Sequence, residues 1–180
     1  MHPQIKTTRK IVIIGIDGAD WRLISPWMED GYLKHFSQTL NKGVRGTLIS
    51  TTPPFTLPAW TSIFTGVNPG KHGITDNLIR LGNKLVPAFS KWRRKPLIWS
   101  LLSNERLKSI VINDPVTYPP ESINGIMVTG FLTPPNSESY TYPPEVKDEV
   151  DKASGGYLSL IHISEPTRPR LISYAVFCLK

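Results

Sequence analysis

The sequence predicts an α/β protein built on a mostly parallel sheet flanked by helices. Three observations carry that expectation. The run Lys10 to Ile16 (KIVIIGI) is apolar and β-branched without alternation, two further short apolar runs follow at Lys108 to Asn113 (KSIVIN) and Gly125 to Thr129 (GIMVT), and segments of helical periodicity lie between the first run and the second and after the third. A strand covered on both faces reads as continuous apolar residues, and strands alternating with helices imply parallel crossovers.

Taken in chain order, the first strand ends at Asp17-Gly18. From Asp20 to about Asn41, Trp21, Ile24, Trp27, Met28, Leu33, Phe36 and Leu40 recur at mostly helical spacing, interrupted by Pro26 and Gly31, so two short helices are expected. Gly43 can close the second, and Val44 to Ser50 (VRGTLIS) reads as another strand. The prolines of Thr51 to Phe55 (TTPPF) force an extended entry. Pro58 then suits the first turn of a helix running to Thr65 and closed by Gly66, which sets Thr56 beside its positive N-terminal end. Pro96 to Glu105 (PLIWSLLSNE) is amphipathic and helical. Thr133 to Glu145 (TPPNSESYTYPPE) is a connecting loop, and Val146 to Ala153 begins a last helix.

A chain of 180 residues with 39% hydrophobic content supports one core-bearing domain. Its longest apolar run, Ile11 to Ile16, is far short of the roughly 18 to 20 residues of a membrane span, and it meets Asp17 too soon for a signal peptide. A cytoplasmic chain without a membrane partner is expected. The net charge of +7 suits anionic substrates and equally a mildly basic surface. The cluster Lys91, Arg93, Arg94 and Lys95 beside Trp92 is too brief to predict a nucleic-acid partner.

Residues 158–180 (LSLIHISEPTRPRLISYAVFCLK) read as translated sequencing adapter. Leu158 to Arg168 reproduces a transposase adapter, and Ile172 to Leu179 the matching flow-cell adapter in the same order. The reading predicts that native sequence stops near Tyr157, with residues 158–180 an artefact tail. The only cysteine, Cys178, falls in that tail, which leaves neither a disulfide nor a thiolate metal site. Without Arg168, Arg170, Lys180 and Glu165 the remainder holds 18 basic and 13 acidic residues, a net charge of +5.

Two positions carry the chemistry. Asp17 stands at the carboxyl end of a strand, where ligands gather in open α/β sheets, and a carboxylate there can hold a cation. Thr56 stands at a helix N-terminus, where amides receive phosphate oxygens and a metal can activate a hydroxyl. Each has a plainer reading, the Asp-Gly as a turn and the threonine as a helix cap. In Asn68 to Gly73 (NPGKHG), Lys71 can offset phosphate charge and His72 can face substrate, and both equally suit a surface loop.

The pairing of KIVIIGIDG with TLPAWTSIFTGVNPGKHGI resembles the start of the type I phosphodiesterase and nucleotide pyrophosphatase family of the alkaline phosphatase superfamily. The segment Asn113 to Pro134 is also similar to its prokaryotic members, so the resemblance spans residues 9 to 157. It implies an alkaline-phosphatase-like sheet, incomplete here, with residues 1–157 forming the N-terminal part of the catalytic domain. Asp17 then maps onto a metal ligand and Thr56 onto the nucleophile, which touches the same metal. It further implies two divalent ions, zinc by family habit, a covalent threonyl-phosphate, and a phosphate-ester or nucleotide substrate. Family members cleaving nucleotide pyrophosphates often carry asparagine after the proline, where this chain has Ala59. The ligands of the second ion belong to a later part of the family's sequence, so this fragment is expected to be inactive alone. The alternatives are a phosphotransferase or sulfatase-like branch of the superfamily and a non-catalytic phosphate-binding module; the Cys or Ser motif of a formylglycine sulfatase is not seen.

Overall fold

The computed structural model describes residues 10–154 and, as backbone, residues 174–179. Strand β1 (Ile11–Ile16) leads through Asp17-Gly18 into helices α1 (Trp21–Glu29) and α2 (Lys34–Leu40). Asp20 caps α1 by accepting the Arg22 amide, and Gly31, at φ 81°, makes the break between the two helices. Pro26 lies inside α1 and does not end it.

Helices α3 (Thr56–Thr65) and α4 (Pro69–His72) follow. Then come strands β2 (Leu78–Leu81) and β3 (Lys84–Pro87), helix α5 (Ile98–Asn104), strands β4 (Ser109–Asp114), β5 (Gly125–Thr129) and β6 (Thr141–Tyr142), and helix α6 (Lys147–Ser154). Strand β7 (Tyr174–Leu179) is the last element. Both β4 and β5 lie where the apolar runs placed them. The hairpin β2–β3 was not foreseen, although Leu78 to Leu81 and Lys84 to Pro87 flank the two-residue turn Gly82-Asn83, a hairpin signal in plain sight.

The main sheet has the order β1-β7-β4-β5-β6, and β2 and β3 form a separate ribbon. This corrects the expectation of a mostly parallel sheet. Only β4 and β5 pair in parallel, and the ladders β1–β7, β4–β7 and β5–β6 are antiparallel. Because β7 runs antiparallel to both its neighbours, β1, β4 and β5 still point the same way. Strand β1 itself stands at the edge, and Ile11, Val12 and Ile14 are 51%, 58% and 65% exposed. Its apolar run is that of a strand covered on both faces, but neighbours and not composition decide whether a strand is central.

The strand expected at Val44 to Ser50 is also absent. The segment joins no ladder, its Leu48 82% and Ile49 90% exposed, and it is tethered to α1 through Trp21 Nε1, which donates to the Gly46 carbonyl at 3.0 Å. β-propensity without a partner strand does not make a strand.

Two apolar clusters fill the interior, and α3 belongs to both. Trp60 and Phe64 pack with Leu97, Trp99, Val111, Ile123 and Met127, while Leu57 packs with Ile74, Ala88 and Val116. The Phe64 ring lies 5.1 Å from that of Trp99 and 6.1 Å from that of Trp60. Leu57, Trp60 and Phe64 repeat at three and four residues, which is the buried stripe of one helix face. Burying such side chains contributes about 1.5–3 kcal/mol each, so α3 is the best-anchored helix and its N-terminus is held in place. On its other flank β1 comes very close: a Cβ on Gly15 would lie 2.1 Å from the Trp60 ring.

Candidate functional site

Asp17 is the first residue after β1, and Gly18 at φ 68° turns the chain away behind it. Thr56 is the first residue of α3. The close packing of Gly15 on Trp60 draws the strand end and the helix start together, and the Thr56 hydroxyl donates to Asp17 Oδ2 at 3.4 Å. Both side chains are half-buried. Asp17 also lines a cleft of about 510 Å³ between β1 and α3, together with Ala59, Ser62, Ile63 and the Leu48–Ile49 segment.

The start of α3 is unusually short of hydrogen-bond partners. Its cap residue Phe55 supplies no side-chain acceptor, and Pro58 has no amide to satisfy. Of the remaining first-turn amides, Leu57 N–H donates to Asn77 Oδ1 at 3.0 Å, while Thr56 N–H meets no acceptor among the described residues. The result is a free donor, at the positive end of a helix, on the same residue as the hydroxyl. Asn77 escaped the sequence reading. Its side-chain NH₂ has no partner among the described residues, and its Oδ1 bond to Leu57 fixes it one residue from Thr56.

The loop between α3 and β2 separates the two other expected residues. Lys71 is exposed on α4. His72 is fully buried, with Nδ1 accepting the Ile74 amide at 3.1 Å and Nε2 2.9 Å from Ser62 Oγ. Burial holds its pKa below the usual histidine value. The basic cluster at 91–95 is divided as well. Arg93 turns inward, donating to the Val116 and Lys95 carbonyls and to Glu121, so it adds nothing to a basic surface. Burial brings its pKa down to about 10.

The sequence reading also passed over Asp114, at the end of β4. The residue is 3% exposed, and Oδ2 has no hydrogen-bond partner among the described residues. Burial pushes its pKa well above the carboxylate range, with Arg93 offsetting only part of the effect.

The chain matches the model of the type I phosphodiesterase / nucleotide pyrophosphatase family over residues 11–173. It belongs to that family. No curated protein and no solved structure matches it. Type I phosphodiesterases and nucleotide pyrophosphatases are hydrolases of phosphate-ester and nucleotide substrates and are generally metal-dependent. As a member of the type I phosphodiesterase / nucleotide pyrophosphatase family, the chain has donors that can be tested for fit to an ion. A tetrahedral zinc with bonds of about 2.0 Å holds two oxygens roughly 3.3 Å apart, and Asp17 Oδ2 and Thr56 Oγ1 lie 3.4 Å apart. The pair therefore fits as two ligands of one ion. No group of three or more His, Cys, Asp or Glu side chains that could hold a metal occurs among the described residues. Nor, among them, is any helix long and apolar enough to cross a membrane.

Proposed function

We propose that this chain carries the nucleophile half of a phosphodiesterase site, with Thr56 attacking phosphorus and Asp17 and Thr56 sharing one divalent cation, zinc by family habit. The observation that carries this reading is the 3.4 Å approach of the Thr56 hydroxyl to Asp17 Oδ2, across 39 residues of sequence. A bound cation would favour the alkoxide form of Thr56 and draw electron density from a phosphoryl oxygen. The chain's own groups do the rest. Thr56 N–H and the Asn77 NH₂ donate to the non-bridging phosphate oxygens, which turns the diester so that its leaving oxygen lies opposite the Thr56 hydroxyl. The Thr56 oxygen forms a bond to phosphorus as the bond to the leaving alcohol breaks. Water then cleaves the threonyl-phosphate and restores the hydroxyl.

The ligands of a second ion are not among the described residues, and we read the chain as a part of the full site, inactive by itself. Residues 158–180 are read as foreign to the protein. We read Lys71, exposed on the same loop as Asn77, as a charge that offsets that of the substrate.

Zinc binding measured by calorimetry tests the assignment on this chain: Asp17→Asn and Thr56→Ala should each weaken binding by about tenfold or more, given that each removes one of two ligands. In a complete family member carrying this N-terminal sequence, Thr56→Ala should abolish turnover of bis(p-nitrophenyl) phosphate and retain ligand binding. Unchanged turnover would rule out the nucleophile. Retained phosphate binding with no turnover in that complete family member, before any substitution, would favour the phosphate-binding module instead.

A further inference from the structure

His72 performs a task that neither the motif nor the family match assigns. The Ile74 N–H points at Nδ1, so that nitrogen must carry the lone pair. The ring proton is then on Nε2 and donates to Ser62 Oγ, 2.9 Å away. Ser62 in turn sends its own hydrogen to the Pro58 carbonyl at 2.8 Å. The three bonds run in one direction, from the loop backbone through the imidazole to the first turn of α3. Two further attachments lie on the same loop: Ile74 is fully buried in the cluster that holds Leu57, and Asn77 Oδ1 takes the Leu57 amide.

We propose that His72 is a positioning residue that, as the neutral Nε2–H imidazole, clips the 68–77 loop onto α3 and so holds Asn77 beside Thr56. This deepens the reading of Thr56 and Asn77 as the groups that face phosphate, and rests on it for its functional meaning. The clip itself is a matter of hydrogen bonds alone. A second proton, on Nδ1, would set two N–H groups head to head at Ile74, so the imidazolium cannot be held in this geometry.

The charges around the ring point the same way. Arg93 and Arg94 follow β3, with the Arg94 amide on the His72 carbonyl at 2.9 Å and its side chain against Gly73. Lys71 and Asp76 lie on the loop itself and Asp114 lies beyond Arg93, while α3 contributes no charge. No carboxylate is paired with the imidazole among the described residues. The ring's pKa is depressed from 6.5, first by burial and also by Arg93, with the Pro58 carbonyl beside the ring offsetting part of the effect. The clip is therefore whole above that value and is lost as pH falls through the folded-state pKa.

The experiment is amide hydrogen exchange by NMR on the full chain, read at Leu57. At slightly alkaline pH, Ser62→Ala and His72→Gln should each speed Leu57 exchange by about five- to tenfold, the worth of one hydrogen bond. The Val111 and Met127 amides of the sheet should not change. In the parent protein the Leu57 amide should lose protection, after correction for intrinsic rates, as pH falls below 6.5, and imidazole nitrogen shifts should report Nε2–H. Ser62→Ala deletes a single hydroxyl and keeps the test available should His72→Gln unfold. An unchanged Leu57 rate in Ser62→Ala, a proton on Nδ1, or equal acceleration of sheet and Leu57 amides would each overturn the proposal. Zinc binding is measured in parallel; its loss in the parent with the Leu57 result intact would count against the phosphodiesterase site and leave the clip standing.

Discussion

Replacing Asp114 by asparagine is expected to stabilise this protein at neutral and alkaline pH. The residue is 3% exposed, and its Oδ2 has no partner among the described residues. Arg93, the charge that acts on it, commits its guanidinium to the Val116 and Lys95 carbonyls and to Glu121. Ionised Asp114 is thus desolvated without a hydrogen-bonded counter-ion. A buried polar group left unsatisfied costs about 1–3 kcal/mol, more when charged.

The sign follows from the raised pKa. Below the ordinary value of 3.8 the carboxyl is protonated in both states and nothing is lost; as pH climbs through the folded pKa, stability falls by about 1.4 kcal/mol for each unit of the shift. Asparagine has the same shape and does not ionise. A gain of about 1–3 kcal/mol corresponds to about 2–12 °C in Tm for a chain of this size. Thermal melts of parent and Asp114→Asn at acidic, neutral and mildly alkaline pH measure it, with the difference growing as pH rises. A Tm gain that is the same at every pH, or a less stable asparagine variant at alkaline pH, would refute the reasoning.

Two further outcomes follow from packing. Gly15→Ala would set a Cβ 2.1 Å from the Trp60 ring, so the strand must move off α3. A loss of about 1–3 kcal/mol by denaturant titration is expected, together with weaker zinc binding as Asp17 and Thr56 separate; unaltered stability would show that the contact is not tight. Removal of residues 158–180 tests whether that segment is foreign. Because β7 pairs with both β1 and β4, a chain ending at Tyr157 should fall in Tm by about 8 °C or more, whereas a shift of no more than about 2 °C would mean that the segment adds nothing to the sheet, as a foreign tail would.

The local elements were legible because they depend on near neighbours in the sequence. β5 lies at the apolar run Gly125 to Thr129, and α3 ends at Gly66, which adopts φ 69° as a left-handed cap must. Asp17 and Thr56 were legible as a strand tip and a helix start. What failed depended on partners. KIVIIGI looks central and stands at an edge, and Val44 to Ser50 has strand composition and no strand beside it. Asn77 and Asp114 were missed because an asparagine near a hairpin and an aspartate at a strand end look ordinary until their surroundings are known.

The order of apolar and polar residues by itself determined most of the helices and the strands β1, β4 and β5, and it set the two reactive side chains at the ends of such segments. Tertiary structure decided what those ends meet: Gly15 against Trp60 brings a carboxylate and a hydroxyl 39 positions apart to 3.4 Å, and a loop folded over α3 turns His72 from a surface residue into a buried clip. The physical reason is range. Propensity and periodicity act over a few residues, whereas burial, hydrogen-bond satisfaction and pKa depend on groups that only the folded chain brings into contact.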